Sequence, residues 1–417
     1  MEIIIRQKRK LFYISYFLYV IATVLQSSMF TQYSIFSKGF VLMRYAAFVF
    51  GAVKVIIDLL QQWNKDEKPR IDEGIVAFFR VRTIKQICLF AAISVLLLIV
   101  SFITNDRSLI FVFVIVLAAR GILMDAIVKK TLVLQLVVMA FILISSSLGV
   151  IPDLLFKREQ IPIRHALGYT YPSVMVTSCF FILLLFLWNK NRPISWKEFL
   201  VIESLNFLVY KLTDSKTGFL MIAFVALVIW VAGSSNMHGR RDKEGRTNGI
   251  WQKIGAGVYD LLPICLVAIL LILCITLPWE GTKIINKLLT NRLQLIVNAV
   301  QNYGIHTFGS NIEWVGFGGT TNTDNLLAEY NFVDSSYAYI LINYGWIVFA
   351  LSMFALVWCC RRIRNRESGI RQFIFAMVLV YCFIEPRLLE LQVNTFLLLL
   401  SPLLNNRLCY RHKNRKF

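Results

Sequence analysis

Apolar runs recur along the whole chain, and most polar residues fall in the breaks between them. A helix rising about 1.5 Å per residue crosses roughly 30 Å of hydrocarbon in about 20 residues. On that measure twelve spans fit, at 11–30, 40–60, 86–103, 108–119, 131–151, 172–188, 198–210, 219–233, 256–277, 336–358, 372–384 and 393–404. The fourth, seventh, eleventh and twelfth are short, so tilt or partial insertion is expected there. Continuous runs such as 110–119 lack the alternation of a transmembrane β-barrel. The pattern predicts an all-α polytopic membrane protein. One break is far longer than the rest: residues 278–335, between spans nine and ten, are largely polar. Within it, Ile284, Ile285, Leu288, Leu289, Leu293, Ile296 and Val297 share one helical face, which predicts an amphipathic helix over 283–300 on the membrane interface.

Composition agrees with that class. The 417 residues are 57% hydrophobic and 14% aromatic, with mean hydropathy +0.64, too apolar for an ordinary soluble protein. The net charge of +20 sits in short basic clusters between apolar runs, such as Arg361-Arg362-Ile363-Arg364-Asn365-Arg366. That is a topology signal and not a nucleic-acid stripe. Placing the N-terminus inside puts most Lys and Arg, including those of 65–85 and 240–253, on the cytoplasmic side, with both termini there. Trp63, Trp188, Trp230 and Trp358 then mark an interfacial belt at cytoplasmic span ends. The first apolar run is too long for a signal peptide and lacks a cleavage site, so it reads as a retained span. The external segments are 31–39, 104–107, 152–171, 211–218, 278–335 and 385–392, in one membrane domain, 1–417, capped by the long loop. None of the eight cysteines is external, so no disulfide framework is expected, and no Cys/His cluster calls for a metal.

External loops normally avoid Lys and Arg, so Lys157, Arg158 and Arg164 imply anionic matter at that face. Lys157 and Arg158 suit lipid headgroups. Arg164 opens the string Arg164-His165-Ala166-Leu167-Gly168-Tyr169-Thr170-Tyr171-Pro172 at the mouth of a span, and a guanidinium can hold a phosphate through two parallel hydrogen bonds. Arg292 lies on the polar side of the amphipathic stretch, where it either snorkels or aims into the bundle. Lys216, in Thr213-Asp214-Ser215-Lys216-Thr217-Gly218, is a second phosphate contact or a partner for Asp214; the order is not that of a P-loop. Asp334 is a helix cap or a base. His165 and His306, the external histidines, could move protons near neutral pH. Gly316-Phe317-Gly318-Gly319 reads as a turn, Lys54 and Asp58 as a pair within the second span, and Glu385, Arg387 and Glu390 as an external cluster beside Pro386.

Taken in order, these pieces resemble the O-antigen and capsule repeat-unit polymerases of the Wzy type, within the O-antigen ligase/polymerase superfamily. The layout of many spans with one large late loop is similar. Arg164–Pro172 resembles the family's Arg-x-x-Leu-Gly-Phe-x-x-Pro-Asn segment, with Tyr169 at the aromatic position and Ser173 in place of Asn. Asn291-Arg292-Leu293 resembles a Gly-Arg-Leu element, and Phe308-Gly309 a following Phe-Gly step. Asp334-Ser335-Ser336-Tyr337, with Tyr344-Gly345 beyond, resembles an Asp-Asn-Ser-Tyr run leading to Tyr-Gly. Thr213–Thr217 resembles a Ser-Arg-Thr element with Lys216 for Arg.

The resemblance implies a GT-C-like fold, no cofactor and metal-independent glycosyl transfer. Its substrate would be undecaprenyl-pyrophosphate-linked oligosaccharide on the outer face of the cytoplasmic membrane, with a flippase and a chain-length regulator as partners. It implies Arg164, Arg292, Asp334 and His306 as catalytic candidates and His165, Tyr169, Lys216 and Tyr337 as substrate contacts. Arg164 and Arg292 would stabilise the departing pyrophosphate, and Asp334, or else His306, would take the acceptor proton. A same-fold ligase is the near rival. A flippase would carry more charge along its spans, and a chain-length factor would need a coiled coil.

Overall fold

The computed structural model describes residues 2–64, 82–158, 161–234, 250–319 and 330–401. In chain order the helices are α1 (Glu2–Gln26), α2 (Ser34–Trp63), α3 (Arg82–Thr104), α4 (Ser108–Ala118), α5 (Met124–Ser147), α6 (Pro172–Lys190), α7 (Trp196–Thr213), α8 (Lys216–Ser234), α9 (Ile250–Asp260), α10 (Leu262–Ile275), α11 (Glu280–Leu288), α12 (Arg292–Tyr303), α13 (Ser336–Asn343), α14 (Gly345–Arg366) and α15 (Gly369–Ile384). One antiparallel hairpin, β1 (Leu155–Arg158) with β2 (Ile161–His165), precedes α6. Among the described residues five helices are long and apolar enough to cross a membrane, or six if α10 and α11, bent by 118°, form one broken span. The chain is an all-α multi-pass membrane protein.

Local chemistry sets the boundaries. Pro172 starts α6, where a missing N–H costs nothing, and Asn191 ends it at φ 48°. Ser195 and Glu198 cap α7 reciprocally. Around α6 lies the main core, in which Phe180 stacks on Tyr381 at 4.1 Å and the Thr177 hydroxyl meets that tyrosine's at 2.8 Å. A second cluster joins α1, α4 and α5.

The twelve-span reading needs correction at several places. Within the twelfth expected span, 393–404, Thr395–Leu400 is a short 3-10 helix with Thr395 to Leu398 buried, and 402–404 lie outside the described residues. Protein covers this run, and apolarity alone does not distinguish burial in protein from burial in lipid. The adjoining polar groups are used internally: the Tyr16 hydroxyl bonds Thr395 at 3.1 Å and the Asn394 amide donates to Leu388 O at 2.8 Å. The ninth span breaks between α9 and α10, beside Pro263. The amphipathic stretch is two helices, α11 and α12, divided where Thr290 and Asn291 take φ of 55° and 63°. Trp188 is a core residue, 0% exposed, and not part of a belt.

Loops read as lying on one side meet at one end of the bundle. Met29 N donates to Gly168 O at 2.9 Å, Thr170 N to Ser27 O at 3.0 Å, and Gly319 N to Thr170 O at 2.8 Å. The Tyr344 hydroxyl donates to Asp106 at 2.5 Å. At the other end Arg371 pairs with Asp125 at 2.9 Å, Arg364 with Asp260 at 2.7 Å, and Lys54 and Lys8 both with Asp58. An up-and-down path that turns at each loop accounts for both groupings.

Candidate functional site

The long loop is pinned where two backbones cross. An ideal Cβ on Gly309 would stand 2.1 Å from Asn343 O, and one on Gly345 would stand 2.4 Å from Gly309 N. Both glycines have positive φ, +86° and +87°, and Trp346 N donates to His306 O at 3.0 Å across the same crossing. Only glycine fits at such contacts. The Phe308-Gly309 and Tyr344-Gly345 steps therefore meet in space and fix the loop to the start of α14.

Arg292 opens α12, whose first amides are capped from the preceding helix: Asn286 Oδ1 accepts from Leu293 N at 3.0 Å and from Gln294 N at 3.4 Å. A cation at a helix N-terminus opposes the helix dipole, and two carboxylates offset it here. Arg292 Nε lies 3.1 Å from Asp334 Oδ2 and Nη2 lies 3.1 Å from Glu385 Oε1, while Nη1 donates to Ile384 O. All three nitrogens thus have protein partners. Asp334 makes no helix cap, its carboxylate being turned to Arg292. Burial pushes its pKa up to about 6, with Glu385 adding to the rise and Arg292 opposing it. Beside this group Arg387 grips both oxygens of Glu390 at 2.8 Å.

Arg164 is different. Pairing of Phe156 with Arg164 in the hairpin turns its side chain inward, where it is 4% exposed. Its Nε donates to Thr213 O at 2.8 Å and Nη1 to the Tyr171 hydroxyl at 3.3 Å, with the guanidinium 5.5 Å from that ring's centre. Among the described residues no carboxylate pairs with it, and its Nη2 makes no hydrogen bond. A line of rings runs from it toward Asp334: Tyr171 stacks on Phe317 at 6.4 Å and Phe317 on Tyr330 at 4.5 Å. Burial raises the Tyr330 pKa, and Asp334, Tyr171, Arg292 and Glu385 all act on that hydroxyl. The Gly316–Gly319 turn thus docks the long loop onto the Arg164 segment.

Other candidates lie elsewhere. Tyr169 and Tyr337 are core side chains, 0% and 1% exposed, and not surfaces a substrate can touch; Tyr337 donates to Leu379 O at 3.1 Å. His165 Nδ1 lies 2.6 Å from Asp153 Oδ2, and Asp153 also accepts from Leu167 N at 2.6 Å, which secures the hairpin exit. His306 is exposed, and its Nε2 donates to Tyr303 O at 2.9 Å. Lys216 is exposed at the start of α8 and pairs with no carboxylate among the described residues, so the alternative partner Asp214 is not used. The side chains of Lys157 and Arg158 lie outside the described residues. No group of three His, Cys, Asp or Glu able to hold a metal occurs among the described residues.

Sequence reasoning did not pick out Tyr171, Phe317 or Tyr330, although aromatic residues in polar external loops were a usable signal. It also passed over a cavity of about 360 Å³ adjoining the charge cluster, lined by Arg44, Asp106 and Glu390 among others. Comparison with protein-family models, curated proteins and solved structures gives no match.

Proposed function

We propose that this chain polymerises undecaprenyl-pyrophosphate-linked oligosaccharide repeat units into a surface polysaccharide, as a GT-C-like glycosyltransferase at the outer face of the cytoplasmic membrane. The observation that carries the reading is Arg164, a buried guanidinium with no carboxylate partner among the described residues. Burying an unpaired charge costs several kcal/mol, about as much as an anionic ligand can return. A pyrophosphate suits the open Nη2 edge and is already a good leaving group.

In this reading the sugar C1–O bond to pyrophosphate breaks and a bond from C1 to the acceptor hydroxyl oxygen forms. Arg164 stabilises the departing pyrophosphate, and Asp334 takes the hydroxyl proton. A carboxylate with a pKa of about 6 is mostly ionised at neutral pH and still basic enough for that task. Arg292, already held by Asp334, Glu385 and Ile384 O, positions Asp334. Lipid-linked donor and acceptor come from a flippase, and a chain-length regulator is a natural partner.

The test is Arg164→Lys, which keeps the charge and loses the planar donor pair. Chain growth should fall on the order of a hundredfold, with single repeat units accumulating on the outer face of the membrane. Accumulation on the cytoplasmic face would indicate a transporter. Polymer of normal length made at the wild-type rate would remove the pyrophosphate role.

A further inference from the structure

The cavity of about 360 Å³ has a place in this scheme that its lining decides. Its size falls in the range of small-molecule sites. Arg44 reaches it from within the apolar run of α2. That guanidinium donates from Nη1 to Gln26 Oε1 at 3.2 Å and lies 5.3 Å from the Phe111 ring centre. Its Nε is buried with no hydrogen-bond partner, and no carboxylate pairs with it among the described residues. Two carboxylates face the same space. Asp106 is fixed by the Tyr344 hydroxyl and by Ser108 N at 2.8 Å, and Glu390 by Arg387 and by Gln392 at 2.9 Å. Each still has lone pairs to offer, since an ionised carboxylate has about four acceptor positions. Tyr339 and Tyr344 supply ring faces and edges.

Two carboxylates against one guanidinium disfavour a phosphate. Fixed acceptors, an unsatisfied donor and aromatic walls together match a ring bearing several hydroxyls, which both donate and accept. Phe332 and Ser336, on either side of Asp334 in sequence, also line the cavity. Arg164 reaches the Asp334 cluster by a different route, through Tyr171, Phe317 and Tyr330. We infer that this cavity holds an uncharged, hydroxyl-rich sugar ring of the acceptor glycan, the assignment to acceptor resting on the polymerase reading.

The test is direct binding to the full chain in nanodiscs. The probe is the oligosaccharide released by mild acid from lipid-linked units of a deletion strain, which carries no phosphate. Saturable binding should weaken at least tenfold in Arg44→Gln and in Ser108→Trp, the latter filling the cavity, and stay unchanged in Arg164→Gln. Thermal melting shows that each variant is folded. No saturable binding by the wild type, or wild-type binding by both cavity variants, would overturn the inference. So would displacement of the probe by inorganic pyrophosphate, which would mark an anion site. A chain that binds the oligosaccharide here but never extends lipid-linked units keeps the sugar site and loses the polymerase reading.

Discussion

On the polymerase reading, removing the Arg292 guanidinium should move the pH dependence of chain growth in a direction that the charges around Asp334 dictate. In the wild type, burial and Glu385 raise the Asp334 pKa to about 6 despite Arg292 at 3.1 Å. Rates at limiting substrate should therefore rise through a limb centred near pH 6 as Asp334 ionises. Arg292→Gln deletes the positive charge that holds this value down and leaves Glu385 in place. A charge pair in contact is worth about 4 kcal/mol at an effective dielectric of about 20, and even a third of that is close to one pH unit. The limb should move to higher pH by about one unit or more, whereas Arg292→Lys should stay near the wild type. Stability follows the same sign. The folded pKa lies above the unfolded value of 3.8, so this group's stabilising contribution is complete below that value and lost as pH rises through about 6. The difference is about 3 kcal/mol by the end of that window. Initial rates and melting temperatures across the pH range in nanodiscs measure both. A wild-type limb near pH 4, or an Arg292→Gln limb that stays put or moves to acid, would refute Asp334 as the base.

Other outcomes follow from the same geometry. Gly309→Ala or Gly345→Ala should lower stability by about 2–5 kcal/mol, from left-handed backbone strain plus overlap at the crossing. Gly281→Ala, in open space within α11, should be neutral or slightly stabilising, and melting curves that rank the two sites equally would contradict the crossing. Tyr169→Phe keeps the ring that fills the second core and should leave chain growth unchanged; a tenfold loss would return Tyr169 to the substrate. In a cysteine-free background Ser310→Cys should react with an impermeant maleimide from outside and Asn365→Cys should not. The reverse pattern would invert the proposed orientation.

The helical framework was legible because composition and run length dominate it. Each of the first eight expected spans falls on a helix, α1 to α8, of which α2, α3, α5 and α6 are long and apolar enough to cross a membrane, and the pairing of Lys54 with Asp58 followed from a spacing of four. What misled was run length without context. Phe396 to Leu398 are as apolar as a span but lie inside the protein, and Thr290 and Asn291 divide a face that periodicity joined. Nothing in the sequence announced the β1–β2 hairpin, since its five-residue second strand contains both Pro162 and the buried Arg164. At the site the charged residues were visible and their partners were not. Arg292 and Arg164 look equivalent as external arginines, yet three-dimensional contacts show one held at all three nitrogens and the other with no carboxylate partner among the described residues.

That inequality bears on how such a site would work. A cation already held by Asp334, Glu385 and Ile384 O would lose those contacts on turning to a ligand, so Arg292 gains little from pyrophosphate. Arg164, with a backbone carbonyl and a phenol, gives up nothing by adding an anion at its open nitrogen. The hairpin carrying Arg164 and the loop carrying Asp334 are far apart in sequence, joined by the Gly319 to Thr170 hydrogen bond and the Tyr171–Phe317–Tyr330 stack. On the polymerase reading, that docking is what links the leaving-group residue to the base.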